Sequence, residues 1–393
     1  MKYNYIIIGA GLVGLSTAYQ LKLKDQNLKI LVLEKESDVS MHQSGHNSGV
    51  IHSGIYYKPG SLKAKNCIEG YESIINFAKE HGVNYDICGK IIVATNENEL
   101  PILDGIYKRG VENGLMGLKY LSREEFREIE PHAEGVKAIK VPQTGIIDYP
   151  GIAHKIAELF QNLGGEILFN QKVIKINSAN ETTVITDKAE FITDKVITCA
   201  GLYSDKLSKL THPENDLIII PFRGEYYKLT PEKKSLVNHL IYPVPDINFP
   251  FLGVHFTRMI NGGVEAGPNA VLAFKREGYK FTDFDVAETL ETFTWPGFWK
   301  IASKFGMTGM GEIYRSLSKK AFTKALQKLI PEIQESDLIE GGSGVRAQAC
   351  SRDGILIDDF DILKNGNIVH VRNAPSPAAT SCLAIGEKIS QLI

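Results

Sequence analysis

Apolar residues fall in two short runs near the start of the chain, over positions 5–8 and 30–34, with a helically spaced stretch at 12–23 between them. Runs of this length, bounded by glycine, predict a buried strand, a helix and a second strand. Further along, amphipathic spacing predicts a helix over 62–81, a strand over 90–95 and a helix over 97–113. Strands over 136–149, turning at Gln143-Thr144-Gly145, lead to a helix at 152–163 that Gly164-Gly165 closes. Short strands follow at 166–170, 173–176, 183–186 and 195–199. From Ile218 the strands are longer and aromatic-rich, at 221–229, 240–244, 251–257 and 263–267, which suits an antiparallel sheet. A helical region at 286–329, short strands at 341–346, 355–358 and 368–371, and a final helix complete the pattern.

The turn between the first strand and helix reads Gly9-Ala10-Gly11-Leu12-Val13-Gly14, and Glu34 ends the second strand. Gly9 permits the tight turn, Gly11 lets backbone approach a pyrophosphate, and Gly14 allows close helix–strand packing. The helix N-terminus offers free N–H groups to phosphates, and an acid twenty residues past Gly14 can accept from ribose hydroxyls. These features predict a dinucleotide-binding βαβ unit. The strand ending in Cys199-Ala200-Gly201 suits a second close approach of backbone to the cofactor.

Composition narrows the function classes. A net charge of −2 and the lack of a basic, aromatic-laced stripe argue against nucleic acid. The five cysteines, Cys67, Cys88, Cys199, Cys350 and Cys382, form no C-x-x-C pair and no metal-like spacing, so buried thiols are expected and no metal site. The apolar N-terminal stretch lacks a basic leader and a cleavage site, and is too short to span a bilayer. A cytoplasmic protein is expected. No composition shift marks a linker, and no second G-x-G-x-x-G follows.

Several separated segments together resemble the D-amino-acid-oxidase-like FAD oxidoreductases: the N-terminal motif, Cys199-Ala200-Gly201, Gly344-Val345-Arg346 and a C-terminal helix start rich in small residues. Within that superfamily the chain is similar to the L-2-hydroxyglutarate oxidase/dehydrogenase family over almost its whole length. The segments that carry this are residues 46–57, Pro221-Phe222-Arg223-Gly224-Glu225-Tyr226-Tyr227, Phe251-Leu252-Gly253-Val254-His255 with Gly267-Pro268-Asn269-Ala270, Gly344-Val345-Arg346-Ala347-Gln348, and residues 373–380. Little beyond helical character is recognisable over 281–317.

The resemblance implies an α/β fold in which a Rossmann-like FAD-binding domain (1–85, 146–217 and 338–393) interleaves with a substrate domain (86–145 and 218–337) built on a mostly antiparallel sheet with helices. It implies oxidation of L-2-hydroxyglutarate to 2-oxoglutarate, a hydride passing from Cα to flavin N5. Contacts to FAD are expected from Gly9, Ala10, Gly11, Val13 and Gly14, and from Glu34 and Lys35. The next loop adds Ser44, Asn47, Ser48, Gly49, Val50 and Ile51. Val173, Cys199, Ala200 and Gly201 follow, then Val345 and Arg346. Pro375, Ser376, Ala378, Ala379 and Thr380 are expected to lay a helix N-terminus against the flavin pyrimidine.

Arg346 is the candidate carboxylate clamp, since a guanidinium binds a carboxylate as a fork. His52 is the candidate base and His255 its rival, imidazole being able to accept a proton near neutral pH. A five-carbon diacid requires a second anion site, for which Arg223, Tyr226, Tyr227 and Arg258 are available. Alternation along a strand puts Arg223 and Tyr227 on one face and Tyr226 on the other. The electron acceptor stays open between oxygen, a quinone and an electron-transfer flavoprotein. Trp295, Phe298 and Trp299, beside Lys300 and Lys304, suggest a peripheral contact with the inner membrane face, or else a core or lid. The competing functions are an amino-acid, sarcosine or glycerol-3-phosphate oxidoreductase on the same scaffold, and a flavin-holding interaction protein without turnover.

Overall fold

The computed structural model describes residues 2–178, 181–214, 216–246 and 252–392. The strand Lys2–Ile8 runs parallel to Ile30–Leu33 on one side and to Glu190–Thr198 on the other, with Ile8 beside both Leu33 and Thr198. Glu166–Leu168 and Ile368–Asn373 extend this parallel core. Thr182–Thr186 and Val173–Asn177 form an antiparallel extension, and Asp361–Asn365 pairs with the last strand. All four residues of Ile30–Leu33 are buried, as expected for a strand covered on both faces.

The helix Leu12–Lys24 buries Leu12, Leu15, Ala18 and Leu21 on that sheet. Helix Cys382–Gln391 lies so close that a Cβ on Gly386 would come 2.6 Å from the Ser16 carbonyl carbon. Helix Leu62–His81 has the predicted bounds because both ends are capped. The Ser61 side chain accepts from Ala64 N–H, and Gly82 takes a left-handed conformation at φ 68°.

The second sheet has Leu217–Leu229 against Leu338–Ser351 over thirteen residues of the former, with one bulge after Tyr226. Val264–Gly267 and Val271–Leu272 flank the other edge of Leu217–Leu229. The sheet continues through His255–Arg258, Leu240–Pro243, Lys90–Ala94, Lys137–Val141 and Lys119–Leu121. Within it Leu240–Pro243 and Lys90–Ala94 are parallel and the other pairings antiparallel. Val50–Ile51, Gly145–Ile147 and Tyr85–Asp86 form a separate small antiparallel sheet.

Four expectations change. The strand expected at 251–257 is confined to His255–Arg258 among the described residues, Phe251 lying outside them. There the Gly253 carbonyl accepts from the His255 ring, at 2.8 Å, and a local bond of this kind competes with ladder pairing. Residues 355–358 form only an isolated bridge, Cys350 to Leu356. The helical region divides into Val286–Thr294, Pro296–Leu317 and Lys319–Leu326, broken at Trp295-Pro296 and at Ser318, whose side chain caps the third helix. Leu338–Ser351 belongs to the second sheet through its full ladder with Leu217–Leu229, although the expected partition assigned everything from 338 onward to the first domain. Helix Arg123–Ile129, with a Ser122/Glu125 capping box, is an element that the periodicity did not reveal.

Candidate active site

At the end of the first strand Gly9 has φ 109°, and a Cβ there would lie 2.4 Å from the Cys199 carbonyl oxygen. A Cβ on Gly14 would lie 2.0 Å from the Gly9 carbonyl oxygen. Only glycine fits at either position. Gly11 occupies the helix N-cap with no side-chain cap of its own, and the Ser44 hydroxyl accepts from Leu12 N–H at 3.0 Å. The Glu34 carboxylate accepts from Ala10 N–H at 2.7 Å and from Glu36 N–H at 3.0 Å. Gln171 N–H donates to the Glu34 carbonyl at 2.8 Å, which brings the buried Val173 towards the same edge. Ala200 and Gly201 follow Cys199 in a short 3-10 turn, Gly201 at φ 51°. Val13 is the second residue of the helix. This cradle of small residues, helix N-terminus and acid fits the adenine dinucleotide part of FAD.

Lys35 stands apart from the expectation. Its ammonium pairs with Glu36 and with Glu277 (2.7 Å), and His42 Nε2 lies 2.9 Å from each of these carboxylates. His42 Nδ1 meets the Tyr279 hydroxyl at 3.0 Å. Burial alone would raise Glu277, but His42 and Lys35 hold it at about 2. This polar knot joins the two sequence-distant segments 35–42 and 277–279, and sequence reading missed it.

The loop after Ser44 is ordered by its own amides. Asn47 donates to the carbonyls of Gln43 (3.0 Å) and Ser44 (2.8 Å) and accepts from Gly49 N–H (2.9 Å), with Ser48 between them. Val50 and Ile51 then enter the small sheet. The Tyr149 hydroxyl reaches the Val50 carbonyl at 3.0 Å and Thr380 Oγ1 at 2.8 Å, and His52 N–H donates to the same Thr380 oxygen at 3.1 Å. Ser376 Oγ lies 3.5 Å from His52 Nε2. The segment from Pro375 through Ser376, Ala378 and Ala379 to Thr380 therefore lies with the His52 loop. The helix itself begins later than expected: residues 376–381 are turns, and it starts at Cys382.

Arg346 sits mid-strand opposite Phe222, with the buried Val345 before it. A Cβ on Gly344 would be 2.5 Å from the His46 carbonyl oxygen, so this glycine lets the strand close on the loop. Tyr226 and Tyr242 act on the Arg346 guanidinium, which burial makes less basic. His255 is buried and stacks on Tyr242 at 3.9 Å between ring centroids. Burial foremost, with Arg346 and Lys90 adding like charge, takes His255 down to about 3. His52 reaches about 3 through burial, Lys90 and His255. Both imidazoles are neutral at physiological pH. Since a backbone carbonyl only accepts, His255 Nδ1 carries the proton and Nε2 keeps its lone pair.

The structure thus gathers Arg346, His52, His255 and Tyr226, and adds Tyr242 and Lys90, which sequence reading did not single out. A lysine heading the apolar strand Lys90–Ala94 was the available signal. Three candidates are engaged elsewhere. Arg223 pairs with Glu225 at 3.0 Å and donates to the Lys280 carbonyl. Tyr227 packs edge-on against Phe322. Arg258 pairs with Asp86 beside a surface cavity lined also by Lys234 and Met259. The physical reason for Arg223 and Tyr227 is strand alternation, which turns them to the face opposite Tyr226.

The family model of FAD dependent oxidoreductases (DAO) matches residues 4–392. The chain is 57% identical over 393 residues to the L-2-hydroxyglutarate dehydrogenase of Indibacter alkaliphilus, covering 100% of this chain and 98% of that one. It is 47% identical to the human mitochondrial L-2-hydroxyglutarate dehydrogenase, over 99% and 88% of the two chains. Against the Escherichia coli K12 L-2-hydroxyglutarate dehydrogenase the figures are 45%, 98% and 92%. Among solved structures, L-alpha-glycerophosphate oxidase from Mycoplasma pneumoniae with FAD bound superposes with a TM-score of 0.82 at 24% identity, over 100% and 94% of the chains. Glycine oxidase from Geobacillus kaustophilus gives 0.73 at 14%, over 100% and 94%, so these likenesses concern the fold. The chain belongs to the FAD-dependent oxidoreductase family and, within it, to the branch of the L-2-hydroxyglutarate dehydrogenases.

Proposed function

We propose that this protein oxidises L-2-hydroxyglutarate to 2-oxoglutarate, its relatives' names supplying the substrate and its buried cluster the chemistry. The observation that carries the reading is the convergence of Arg346, Tyr226, Tyr242 and His255 beside the His52 loop. Bound FAD supplies the acceptor for the two electrons that leave the substrate carbon.

Arg346 grips the carboxylate next to the reacting carbon, since a desolvated guanidinium gains most from a bidentate anion. Tyr226 and Tyr242, whose phenols burial keeps protonated, offer hydrogen bonds around it. We assign the hydroxyl proton to His255 Nε2. A ring buried beside two cations resists protonation in the empty site, and the arriving anion offsets those cations, which makes Nε2 more basic when substrate is present. His52 lines the same space and is held by Thr380 rather than by a tautomer-fixing carbonyl.

For the second half-reaction we propose a membrane quinone, the protein being cytoplasmic and peripheral. Of the expected aromatics Trp295 is buried and Phe298 half-buried against it, whereas Leu290, Trp299, Tyr314 and Leu317 are exposed on two consecutive helices, next to the exposed Lys300 and Lys304, a composition suited to a membrane surface. No helix among the described residues is long and apolar enough to cross a membrane. Co-sedimentation with anionic vesicles, abolished in W299S/L317S, is the expected outcome, and equal recovery without vesicles refutes it.

The substrate is tested by anaerobic titration of the purified holoprotein with each enantiomer of 2-hydroxyglutarate. Bleaching of the flavin absorbance by the L form alone is expected. A flavin left oxidised by it, but bleached by glycine, sarcosine or glycerol 3-phosphate, overturns the reading.

A further inference from the structure

Lys90 opens a strand, Lys90–Ala94, in which every residue is buried, and its own exposure is 3%. Its Nζ lies 4.6 Å from the centroid of the Tyr56 ring and 4.6 Å from that of Tyr242. Among the described residues no hydrogen bond or ion pair reaches that ammonium. Buried lysines are ordinarily matched by a carboxylate, because an unmatched ammonium forfeits its hydration. Two aromatic faces compensate only part of that loss.

The groups around Lys90 carry no negative charge near neutral pH. Burial pushes Cys67 up to about 12 and lifts the Tyr56 and Tyr242 phenols well above their ordinary range. His52 and His255, each at about 3, are neutral. The cluster also contains Arg346, which acts on both Tyr242 and His255, as Lys90 acts on His255 and lies over Tyr242. Two basic groups thus share one stacked Tyr242–His255 pair.

We propose that Lys90 receives the distal carboxylate of the substrate, so that Arg346 and Lys90 hold the two ends of a five-carbon dianion across Tyr242 and His255. The proposal rests on the reading of the substrate as a 2-hydroxy diacid. It makes Lys90 the residue that separates diacids from monoacids, with the Tyr56 and Tyr242 rings walling the methylenes. Desolvation brings Lys90 to about 7, so the empty site holds a mixture of amine and ammonium at neutral pH. A carboxylate arriving beside it favours the ammonium, and binding therefore draws in a proton.

Calorimetric titration of the holoenzyme at pH 7.5 with glutarate and with pentanoate tests this, neither ligand having a hydroxyl to oxidise. Glutarate is expected to bind ~10- to 100-fold more tightly, the size of one charge-assisted hydrogen bond. Repeating the titration in buffers of different ionisation enthalpy should show proton uptake with glutarate in excess of that with pentanoate. In K90M the preference should shrink to about threefold and the excess uptake vanish. K90R, always charged, should keep the preference and lose the excess uptake. A K90M enzyme that still prefers glutarate overturns the proposal, as does a wild type with equal uptake for both ligands. The wild-type and K90R measurements decide the matter even where K90M does not fold. Flavin bleaching by L-2-hydroxyglutarate with an unchanged K90M preference sinks the Lys90 role alone. Lys90-dependent glutarate binding without bleaching sinks the oxidation and leaves the anion site.

Discussion

Thr380 joins the two segments that wall the candidate site, and valine is its isosteric probe. The hydroxyl is fully buried, takes the His52 N–H at 3.1 Å and shares a 2.8 Å hydrogen bond with the Tyr149 hydroxyl. In Thr380→Val the Tyr149 hydroxyl keeps the Val50 carbonyl at 3.0 Å, so the His52 N–H is the group left without an acceptor. A buried orphan donor costs ~1–3 kcal/mol, and the lost Tyr149 bond adds ~1 kcal/mol. With an unfolding entropy of ~2.1 cal/mol/K per residue, the 393-residue chain loses ~1 °C for each kcal/mol. Thermal unfolding followed by tryptophan and flavin fluorescence should therefore show a Tm about 2–5 °C lower for Thr380→Val. Thr380→Ser, which retains the oxygen, should stay within about 1 °C of wild type. Equal melting of the two variants would refute the assignment of the hydroxyl as the tie between the His52 loop and the C-terminal segment.

Three further perturbations probe the glycine turn, His255 and Glu277. Gly14→Ala places a Cβ 2.0 Å from the Gly9 carbonyl oxygen, backbone against backbone, and overpacking of this kind costs ~1–3 kcal/mol. FAD affinity by fluorescence titration should fall at least ~10-fold, and wild-type loading refutes the cradle. With His255 neutral down to about 3, kcat/KM should stay level on the acid side to pH ~5, whereas a decline centred near 6.5 contradicts the buried, carbonyl-fixed ring. Glu277, depressed to about 2 by His42 and Lys35 despite its burial, contributes stability present above its unfolded value and lost as pH falls through that value towards 2. Glu277→Gln should lower Tm at pH 6, and the gap from wild type should narrow by pH 3; a gap independent of pH excludes the ion-pair origin.

Local signals account for what could be read from the chain. The turn from Gly9 to Gly14 is contiguous, its steric demands are met within one βαβ unit, and parallel buried strands read as plain apolar runs. Helix Leu62–His81 was legible to the residue because Ser61 and Gly82 state its ends. Arg346 stood out through the glycine that lets its strand approach the loop. Tyr242 and Lys90 did not, because what brings them together is the parallel pairing of Lys90–Ala94 with Leu240–Pro243, a contact between segments far apart in sequence. Alternation divided Arg223 and Tyr227 from Tyr226, but choosing the inward face required knowing which layer lies behind the sheet. The fate of Leu338–Ser351 was hidden for a related reason: a strand's partner is set by a ladder, which leaves no mark on its own residues.

The order in which the chain visits its two sheets bears on how the protein is made. Ribosomal synthesis delivers residues 2–33 first, yet the core they enter is completed by Val369, Val371, Cys382, Ile385 and Ile389. Until those emerge, the face of Leu12–Lys24 that packs on Cys382–Gln391 stays uncovered, so the nascent chain carries an unfinished apolar face past the whole of the second sheet. Flavin capture is therefore a late event in biogenesis, following translation of the helix at 382–391 rather than of the glycine turn. Loss of that helix would leave Gly9, Gly11, Gly14, His255 and Arg346 in place in the sequence and still strip the glycine turn's own helix of its cover.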